Sequence, residues 1–372
     1  MTDVLLHLSV ASFSFFSPFW DRESVIYGGF PVSFLHPFIK LYNISHMSVA
    51  PNHPPTILCI TPNPAIDRTH VIPHLTPGAV HRSYDVVIDA GGKGINVARA
   101  LKVLGGVPVC AGFLGGLSGK QVARLAEAEG LLPAWSWIQN ETRTCVIISA
   151  EDSAESTVFN ENGPTVSTAD WAMLRNDVII AAQDVDAVCI SGSTPAGSSP
   201  ESLPALIAAL RDIGKPVWVD TSKAALQAAL TARPTAIKVN HVEAGEVAGT
   251  EIETWQEAIY VANQFCAQGI AYAIITLGRD GAVLATSKEG GWWARPAALQ
   301  TVSAVASGDC FLAGMVFAIC LGESPTTALR HGVAAGTANA LNTGGARFAR
   351  EQFAHVLAQV SLDALGAPNY TP

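Results

Sequence analysis

Short apolar runs alternate with longer amphipathic stretches from residue 56 to about residue 340. Several runs are apolar at every position, which is typical of parallel strands covered on both faces. The longer stretches repeat apolar residues every three or four positions, as helices do. The predicted strands are 56–60, 109–113, 144–148, 187–191, 217–220, 236–239 and 273–277, and the predicted helices are 95–104, 119–129, 168–182, 201–212, 254–268 and 309–321.

This alternation predicts an α/β fold, a three-layer α/β/α sandwich around a mostly parallel sheet. Two segments, near residues 80–89 and 145–160, instead contain short β-like stretches. We expect them to pair into a small β lid. The sequence thus predicts one domain over residues 47–372 that carries this lid.

The first 46 residues differ from the rest of the chain, because they are rich in Phe, Ser and Pro. The apolar run at 4–16 is too short to span a bilayer, and it lacks the basic start of a secretory signal. We expect residues 1–46 to be a poorly ordered extension ahead of a true start at Met47. The alternative is an ordered element that packs on a neighbour or a partner chain.

Composition excludes some classes of partner. Of the residues, 49% are hydrophobic and 14% are charged, and the net charge is −9. No run of Lys and Arg occurs, so the sequence indicates neither nucleic-acid nor membrane binding. The seven cysteines are scattered without a Cys-x-x-Cys pair, which favours a cytoplasmic location. The dispersed histidines do not predict a zinc site.

Three small-residue motifs carry the candidate chemistry. The segment ASGD at 306–309 leads into an apolar helix. Either its amides bind an anion while the carboxylate of Asp309 accepts a proton, or the segment is a tight turn that Asp309 caps. The segment GGKGIN at 91–96 allows close approach of a polar ligand, or is a plain strand-to-helix turn. The segment TPNPAID at 61–67 places Asp67 beyond the first strand, where open α/β sheets bind ligands.

These motifs and their order resemble the ribokinase-like (phosphofructokinase B) carbohydrate kinases from about residue 56 to 357. The TPNPAID segment, Arg82 and the Thr-Arg-Thr sequence at 142–144 resemble the hexose-phosphate kinases of that family, the subgroup of 1-phosphofructokinase and tagatose-6-phosphate kinase. The resemblance implies ATP-dependent phosphoryl transfer to a ketohexose phosphate. Fructose 1-phosphate, giving fructose 1,6-bisphosphate, is the preferred substrate. Tagatose 6-phosphate, fructose 6-phosphate and an inactive sugar-phosphate-binding regulator remain alternatives.

The resemblance also implies roles for individual residues. Asp309 is the catalytic base, and the amides of Ala306, Ser307 and Gly308 bind the transferred phosphoryl group. The implied substrate-binding residues are Asp67, Arg82, Gly92, Lys93, Asn96 and Arg143. The implied ATP-binding residues are Lys238, Asn240, Thr276, Gly278, Gly281, Val333, Thr337 and Asn339. Glu243 is implied to order Mg²⁺ through water. A homodimer through the lid is a further expectation.

Three departures from the family pattern bear on these expectations. Ala306 stands where the family has glycine, which we expect to be tolerated only if its φ is negative. Ser307 adds a hydroxyl that is expected to lie near the anion site as an extra donor. Lys223 also replaces a usual glycine. Because no catalytic group is missing, the sequence predicts an active kinase.

Overall fold

The computed structural model describes residues 53–152, 156–288 and 290–365. The chain divides into two units, Met1–Met47 and Ser48–Pro372. The expectation for residues 1–46 lies outside the described residues. The described residues all belong to the second unit.

The second unit is built from fourteen strands and ten α-helices among the described residues. The strands are β1 Thr56–Thr61, β2 Ala65–Ile72, β3 Asp85–Gly91, β4 Val107–Gly115, β5 Leu132–Ile138, β6 Arg143–Ala150, β7 Ser156–Asn160, β8 Ala187–Ser191, β9 Val217–Asp220, β10 Ala236–Asn240, β11 Tyr272–Thr276, β12 Ala282–Thr286, β13 Gly290–Arg295 and β14 Ser361–Leu365. The helices are α1 Lys93–Leu104, α2 Gly116–Ala128, α3 Thr168–Ala181, α4 Ser202–Asp212, α5 Lys223–Thr231, α6 His241–Ala248, α7 Trp255–Ala267, α8 Ser307–Cys320, α9 Pro325–Ala340 and α10 Arg350–Leu357.

Ten strands form the main sheet, in the order β14-β13-β12-β11-β10-β9-β8-β1-β4-β5. The seven strands from β11 to β5 in this order are parallel, and β12, β13 and β14 extend one edge in antiparallel pairing. This arrangement confirms the predicted mostly parallel sheet. It also brings the carboxyl ends of the parallel strands to one edge, where α/β sheets bind ligands.

Helices cover both faces of the main sheet, because its strands are apolar on both sides. In β1, Ile57 and Cys59 contribute to one hydrophobic core, while Leu58 and Ile60 contribute to the other. Helices α1, α8 and α9 pack in the first core, and α3, α4 and α7 pack in the second. The three-layer sandwich predicted from the sequence is therefore confirmed.

A second sheet has four strands in the order β3-β2-β6-β7, and we call it the small sheet. Both segments predicted to form a lid contribute to it, although residues 80–84 precede β3 and are not part of a strand. The sequence analysis missed β2, which lies between β3 and β6. The small sheet joins the main sheet where β1 leads into β2 and where β3 leads into α1.

Candidate active site

The site is organised around the N-terminus of α8. Asp309 lies in the first turn of this helix and is only 4% exposed. The amides of Ala306 and Gly308 have no hydrogen-bond acceptor among the described residues. The amide of Ser307 differs from them, because it donates to Ala304 O at 3.2 Å and closes a turn. Of the three amides expected to bind the phosphoryl group, the structure leaves two available.

Ala306 adopts a left-handed conformation, with φ of +59° and ψ of +7°. The condition under which alanine was expected to be tolerated here, a negative φ, is therefore not met. Lys223, the other residue that replaces a family glycine, also has a positive φ, of +55°. A left-handed conformation costs a residue with a Cβ about 1–2 kcal/mol. The backbone therefore keeps the shape that glycine would favour, at a cost in stability at both positions.

Asn96 holds the carboxylate of Asp309. The Nδ2 atom of Asn96 donates to Asp309 Oδ2 at 2.9 Å, which leaves Oδ1 to accept a proton. Burial raises the pKa of Asp309 to about 6, against the opposing effect of the ammonium groups of Lys93 and Lys238. A carboxylate with such a pKa is ionised at neutral pH and is a stronger base than an ordinary aspartate.

Two lysines converge on Asp220 at the end of β9. Lys93 Nζ lies 3.0 Å from Oδ1 of Asp220, and Lys238 Nζ lies 2.8 Å from Oδ2. Burial alone would raise the pKa of Asp220, which is fully buried, but Lys238 and Lys93 lower it below its usual value. In turn, Asp220 raises the pKa of Lys93 well above the usual value, so Lys93 carries a charge.

Lys238 also lies directly beside the anion-binding turn. A Cβ added to Gly308 would lie 2.7 Å from Lys238 Nζ. A cation at a helix N-terminus is unfavourable unless an anion shares the site, because that end of the helix carries a partial positive charge. Two free amides and a buried ammonium group therefore suit a phosphate oxygen. The sequence analysis missed Asp220, although its place at the carboxyl end of a strand was a usable signal.

Asp67 lies against the glycine loop at residues 91–92. A Cβ at Gly91 would lie 2.2 Å from Asp67 Cγ, and a Cβ at Gly92 would lie 2.6 Å from Thr61 Cγ2. Gly92 also has a φ of +119°. Only glycines therefore allow the loop to approach Asp67 and to enter α1, where Lys93 and Asn96 begin the helix. Burial raises the pKa of Asp67 to about 6, against the opposing effect of Arg143.

The two arginines expected to bind the substrate phosphate lie in different surroundings. Arg143 donates from Nε and Nη2 to Asn63 O, at 3.2 and 3.1 Å, and from Nη1 to Glu161 O at 3.1 Å. It therefore holds the backbone around Asp67 and retains two of its five N–H donors. Arg82 is exposed in the segment before β3, and it has no partner in the described part of the chain.

The motif that begins at Asn240 forms the start of α6. The side chain of Asn240 accepts from Glu243 N at 2.8 Å, and Oε2 of Glu243 accepts from Asn240 N at 3.0 Å. This reciprocal capping box satisfies two amides at the helix N-terminus. Glu243 also raises the pKa of Lys93, after Asp220 and Asp309, so its charge acts within the site. Glu243 therefore caps α6 and also lies close enough to Lys93 to act on it electrostatically.

The glycine turn after β11 borders the same edge of the sheet. Thr276 ends β11, and Gly278 begins a 3₁₀ turn with a φ of +59° and open space around its Cα. At Gly281, a Cβ would lie 2.0 Å from Ala294 O. Gly278 is therefore open to a ligand, whereas Gly281 is needed for packing against β13.

The three residues of α9 expected at ATP differ in accessibility. Thr337 is partly exposed, Val333 is buried in the core between α8 and α9, and Asn339 is fully buried. The side chain of Asn339 bonds to the turn before α8 instead of facing an open surface. In this structure the side chain of Asn339 therefore contacts protein groups, and a contact with ATP stays a prediction.

No group of three or more His, Cys, Asp or Glu side chains that could hold a metal is present in residues 53–152, 156–288 and 290–365. In the same part of the chain, every helix is too short or too polar to cross a membrane.

Comparisons with known proteins agree with this geometry. The pfkB family of carbohydrate kinases matches residues 60–351. The chain is 33% identical to 1-phosphofructokinase of Escherichia coli (strain K12) over 306 residues, which are 82% of this chain and 97% of that protein. It is 35% identical to 1-phosphofructokinase of Haloferax volcanii over 285 residues, 74% of this chain and 88% of that protein.

A solved structure has a similar fold. The structure of phosphofructokinase-2 from Escherichia coli in complex with fructose-6-phosphate is 25% identical, with a TM-score of 0.74, and covers 82% of this chain and 98% of that one. The fold, the site and the sequence match lead to one assignment: the chain belongs to the pfkB family of carbohydrate kinases and is an ATP-dependent kinase.

Proposed function

We propose that this kinase phosphorylates fructose 1-phosphate with ATP to give fructose 1,6-bisphosphate. The observation that carries the proposal is the N-terminus of α8, where two free amides and Lys238 face the same small region as the buried carboxylate of Asp309. The names of the relatives support the sugar phosphate. The solved phosphofructokinase-2 complex favours fructose 6-phosphate as the second candidate, and tagatose 6-phosphate is a further alternative.

In the proposed reaction, Asp309 Oδ1 accepts the proton of a primary hydroxyl of the sugar phosphate. That oxygen forms a bond to the γ-phosphorus while the bond from phosphorus to the ADP oxygen breaks. Negative charge on the phosphoryl oxygens is stabilised by the amides of Ala306 and Gly308 and by Lys238, which are already in place before the reaction. Asn96 keeps the carboxylate oriented throughout.

The residues at this edge fit a magnesium ion bound mainly through water and phosphate. Mg²⁺ usually takes one or two carboxylates and keeps several waters, so a cluster of protein ligands is not needed. Glu243 uses Oε2 for the helix cap and has a second oxygen for a metal-bound water. When bound with ATP, Mg²⁺ supplies positive charge to the phosphate oxygens.

On the nucleotide side, we propose that Asn240, Thr276, Gly278 and Thr337 line the ATP site. On the sugar side, Asp67, Gly92 and Asn96 are proposed to bind the hydroxyls. Lys93, whose side chain is 40% exposed, Arg82 and the remaining donors of Arg143 are proposed to bind the substrate phosphate. Closure of the small sheet over the sugar would exclude water and limit ATP hydrolysis.

The test is ADP release with fructose 1-phosphate, fructose 6-phosphate, tagatose 6-phosphate and free fructose as acceptors. We expect the highest kcat/KM with fructose 1-phosphate. A higher kcat/KM with either 6-phosphate would make that sugar phosphate the substrate instead of fructose 1-phosphate. A preference for free fructose would contradict a sugar-phosphate kinase. Binding of sugar phosphate without ADP release would indicate the inactive regulator.

We further propose a homodimer through the small sheet. Its edge strand β7 is exposed along its whole length, with Val158 at 46% and Phe159 at 61% exposure. An exposed apolar edge strand favours pairing with another chain. Sedimentation velocity of the parent and of Phe159→Lys is the test. We expect a dimer that the substitution weakens, and a monomeric parent at micromolar concentration would contradict the proposal. A cytoplasmic location is proposed with it, supported by seven free cysteines among the described residues, six of them buried.

A further inference from the structure

Asn339 is fully buried near the end of α9, and its side chain bonds to three other groups. The Nδ2 atom donates to Val305 O at 2.7 Å and to Ser307 Oγ at 3.1 Å. The Oδ1 atom accepts from Arg347 N at 3.3 Å. An amide buried to this degree is costly unless it is bonded, and here its bonds go to the turn that precedes the catalytic helix.

The two groups that receive bonds from Asn339 lie on either side of Ala306. This residue has the left-handed conformation that a Cβ disfavours. Its carbonyl oxygen accepts from Asp309 N and Cys310 N, both at 3.0 Å, so its conformation sets how α8 begins. Together with Ser307, the first residue of α8, this conformation orients the free amides of Ala306 and Gly308. Such unfavourable backbone states persist only where surrounding contacts enforce them.

Backbone hydrogen bonds also hold residues 302–307, the segment around Ala306. The amides of Val302 and Ser303 donate to Ala340 O at 2.7 and 3.2 Å, which anchors the chain ahead of the turn. Ser307 N donates to Ala304 O within the turn itself. In the described part of the chain, Asn339 is the side chain that bonds on both sides of Ala306. The hydroxyl of Ser307, which was expected to lie near the anion site as a donor, accepts this bond and keeps its own O–H to donate.

We infer that Asn339 is a positioning residue for phosphoryl transfer: its two hydrogen bonds hold Ala306 in the left-handed conformation that aims the amides of Ala306 and Gly308 at the transferred group. The inference rests on the proposed function, because it assigns those amides to the phosphoryl group. It implies that Asn339 affects the chemical step without touching ATP or the sugar. It also implies that its importance depends on the residue at position 306.

The first experiment compares Asn339→Ala with Asn342→Ala. Asn342 is a partly buried amide three residues further on, and its side chain bonds to Ala338 O and Gln352 instead of to the turn. Both variants are assayed at 25 °C with ATP and fructose 1-phosphate. We expect kcat to fall roughly 10- to 100-fold in Asn339→Ala, with a smaller change in KM, because misplaced charge-stabilising groups act mainly on the transition state. Asn342→Ala should retain the parent kcat even if its melting temperature falls.

The second experiment repeats Asn339→Ala in an Ala306→Gly background. Glycine adopts the left-handed conformation without penalty, so the turn depends less on the two hydrogen bonds from Asn339. We expect the loss in kcat caused by Asn339→Ala to be at least about fivefold smaller in that background. Because Ala306→Gly is itself expected to stabilise the protein, kcat is expressed per folded enzyme in each background, so that a gain in stability alone does not register as rescue.

The outcomes separate this inference from the proposed function. A parent enzyme without turnover would overturn both. A parent with turnover, combined with an unchanged kcat in Asn339→Ala or an equal loss in both backgrounds, would overturn the positioning role alone. If Asn339→Ala does not fold, Ser307→Ala removes one of the two bonds, and we expect about a threefold to tenfold lower kcat. An unchanged kcat in that variant would likewise overturn the inference.

Discussion

Replacing Asp309 by asparagine is expected to stabilise the folded protein at neutral pH. Asparagine keeps the shape of the side chain and can accept the bond from Asn96, but it carries no charge. Burial raises the pKa of Asp309 to about 6 in the folded protein, whereas an unfolded aspartate titrates at about 3.9. Two pKa units correspond to about 3 kcal/mol, so the ionised carboxylate destabilises the folded state by about this amount at pH 7.5.

The sign of this effect depends on pH. Because the folded pKa lies above the unfolded one, the parent has no penalty below pH 4, and it acquires the penalty as the pH rises through 6. Urea unfolding of the parent and Asp309→Asn at pH 4 and 7.5 measures the difference, with the exposed Asp184→Asn as control. We expect a gain of about 2–3 kcal/mol at pH 7.5 and almost none at pH 4. A variant less stable than the parent at pH 7.5 would refute the argument that burial dominates over the lysines.

Three further predictions concern the backbone and the substrate side. Ala306→Gly should raise the free energy of unfolding by about 0.5–1 kcal/mol, and so should Arg233→Gly, because Arg233 also has a positive φ. A lower free energy of unfolding in both variants would contradict the strain argument. Gly91→Ala should raise KM for fructose 1-phosphate about tenfold, because the added Cβ would displace Asp67. An unchanged KM would contradict the assignment of Asp67 to the sugar site. Arg143→Ala should lower kcat/KM for fructose 1-phosphate roughly 10- to 100-fold and hardly affect free fructose. Equal losses on both substrates would show that Arg143 acts only by holding Asn63 and Glu161.

Much of the main sheet follows from local sequence patterns. Strand β9 and helix α4 were predicted within one residue of their observed bounds, because their apolar positions recur with an unambiguous period. Strand β2 was missed, because its residues follow a proline-rich segment and alternate only weakly. Its position is set by antiparallel pairing with β3, the next strand, and by parallel pairing with β6, which is distant in sequence. Long-range pairing of this kind leaves little local signal.

The residues of the candidate site also differ in whether local sequence or long-range contacts determine them. The sequence places Asp309 and Asn96 in motifs, and the structure joins them by a hydrogen bond. The positive φ of Ala306, in contrast, depends on contacts with α9 that no local pattern contains. Asp220 was missed although it ends a strand, because its pairing with Lys93 of α1 and Lys238 of β10 forms only in the folded chain.

The central claim is that Asp309 is the base that activates the hydroxyl of fructose 1-phosphate. The most direct measurement is kcat for this substrate in the parent and in Asp309→Asn, with Asp184→Asn as control. Loss of a general base lowers the rate roughly 10²- to 10⁴-fold, and that is the fall we expect in Asp309→Asn alone. In the parent, kcat/KM should rise with pH up to about 6 and then level off, because the base must be ionised. Turnover by Asp309→Asn within about threefold of the parent would contradict the account.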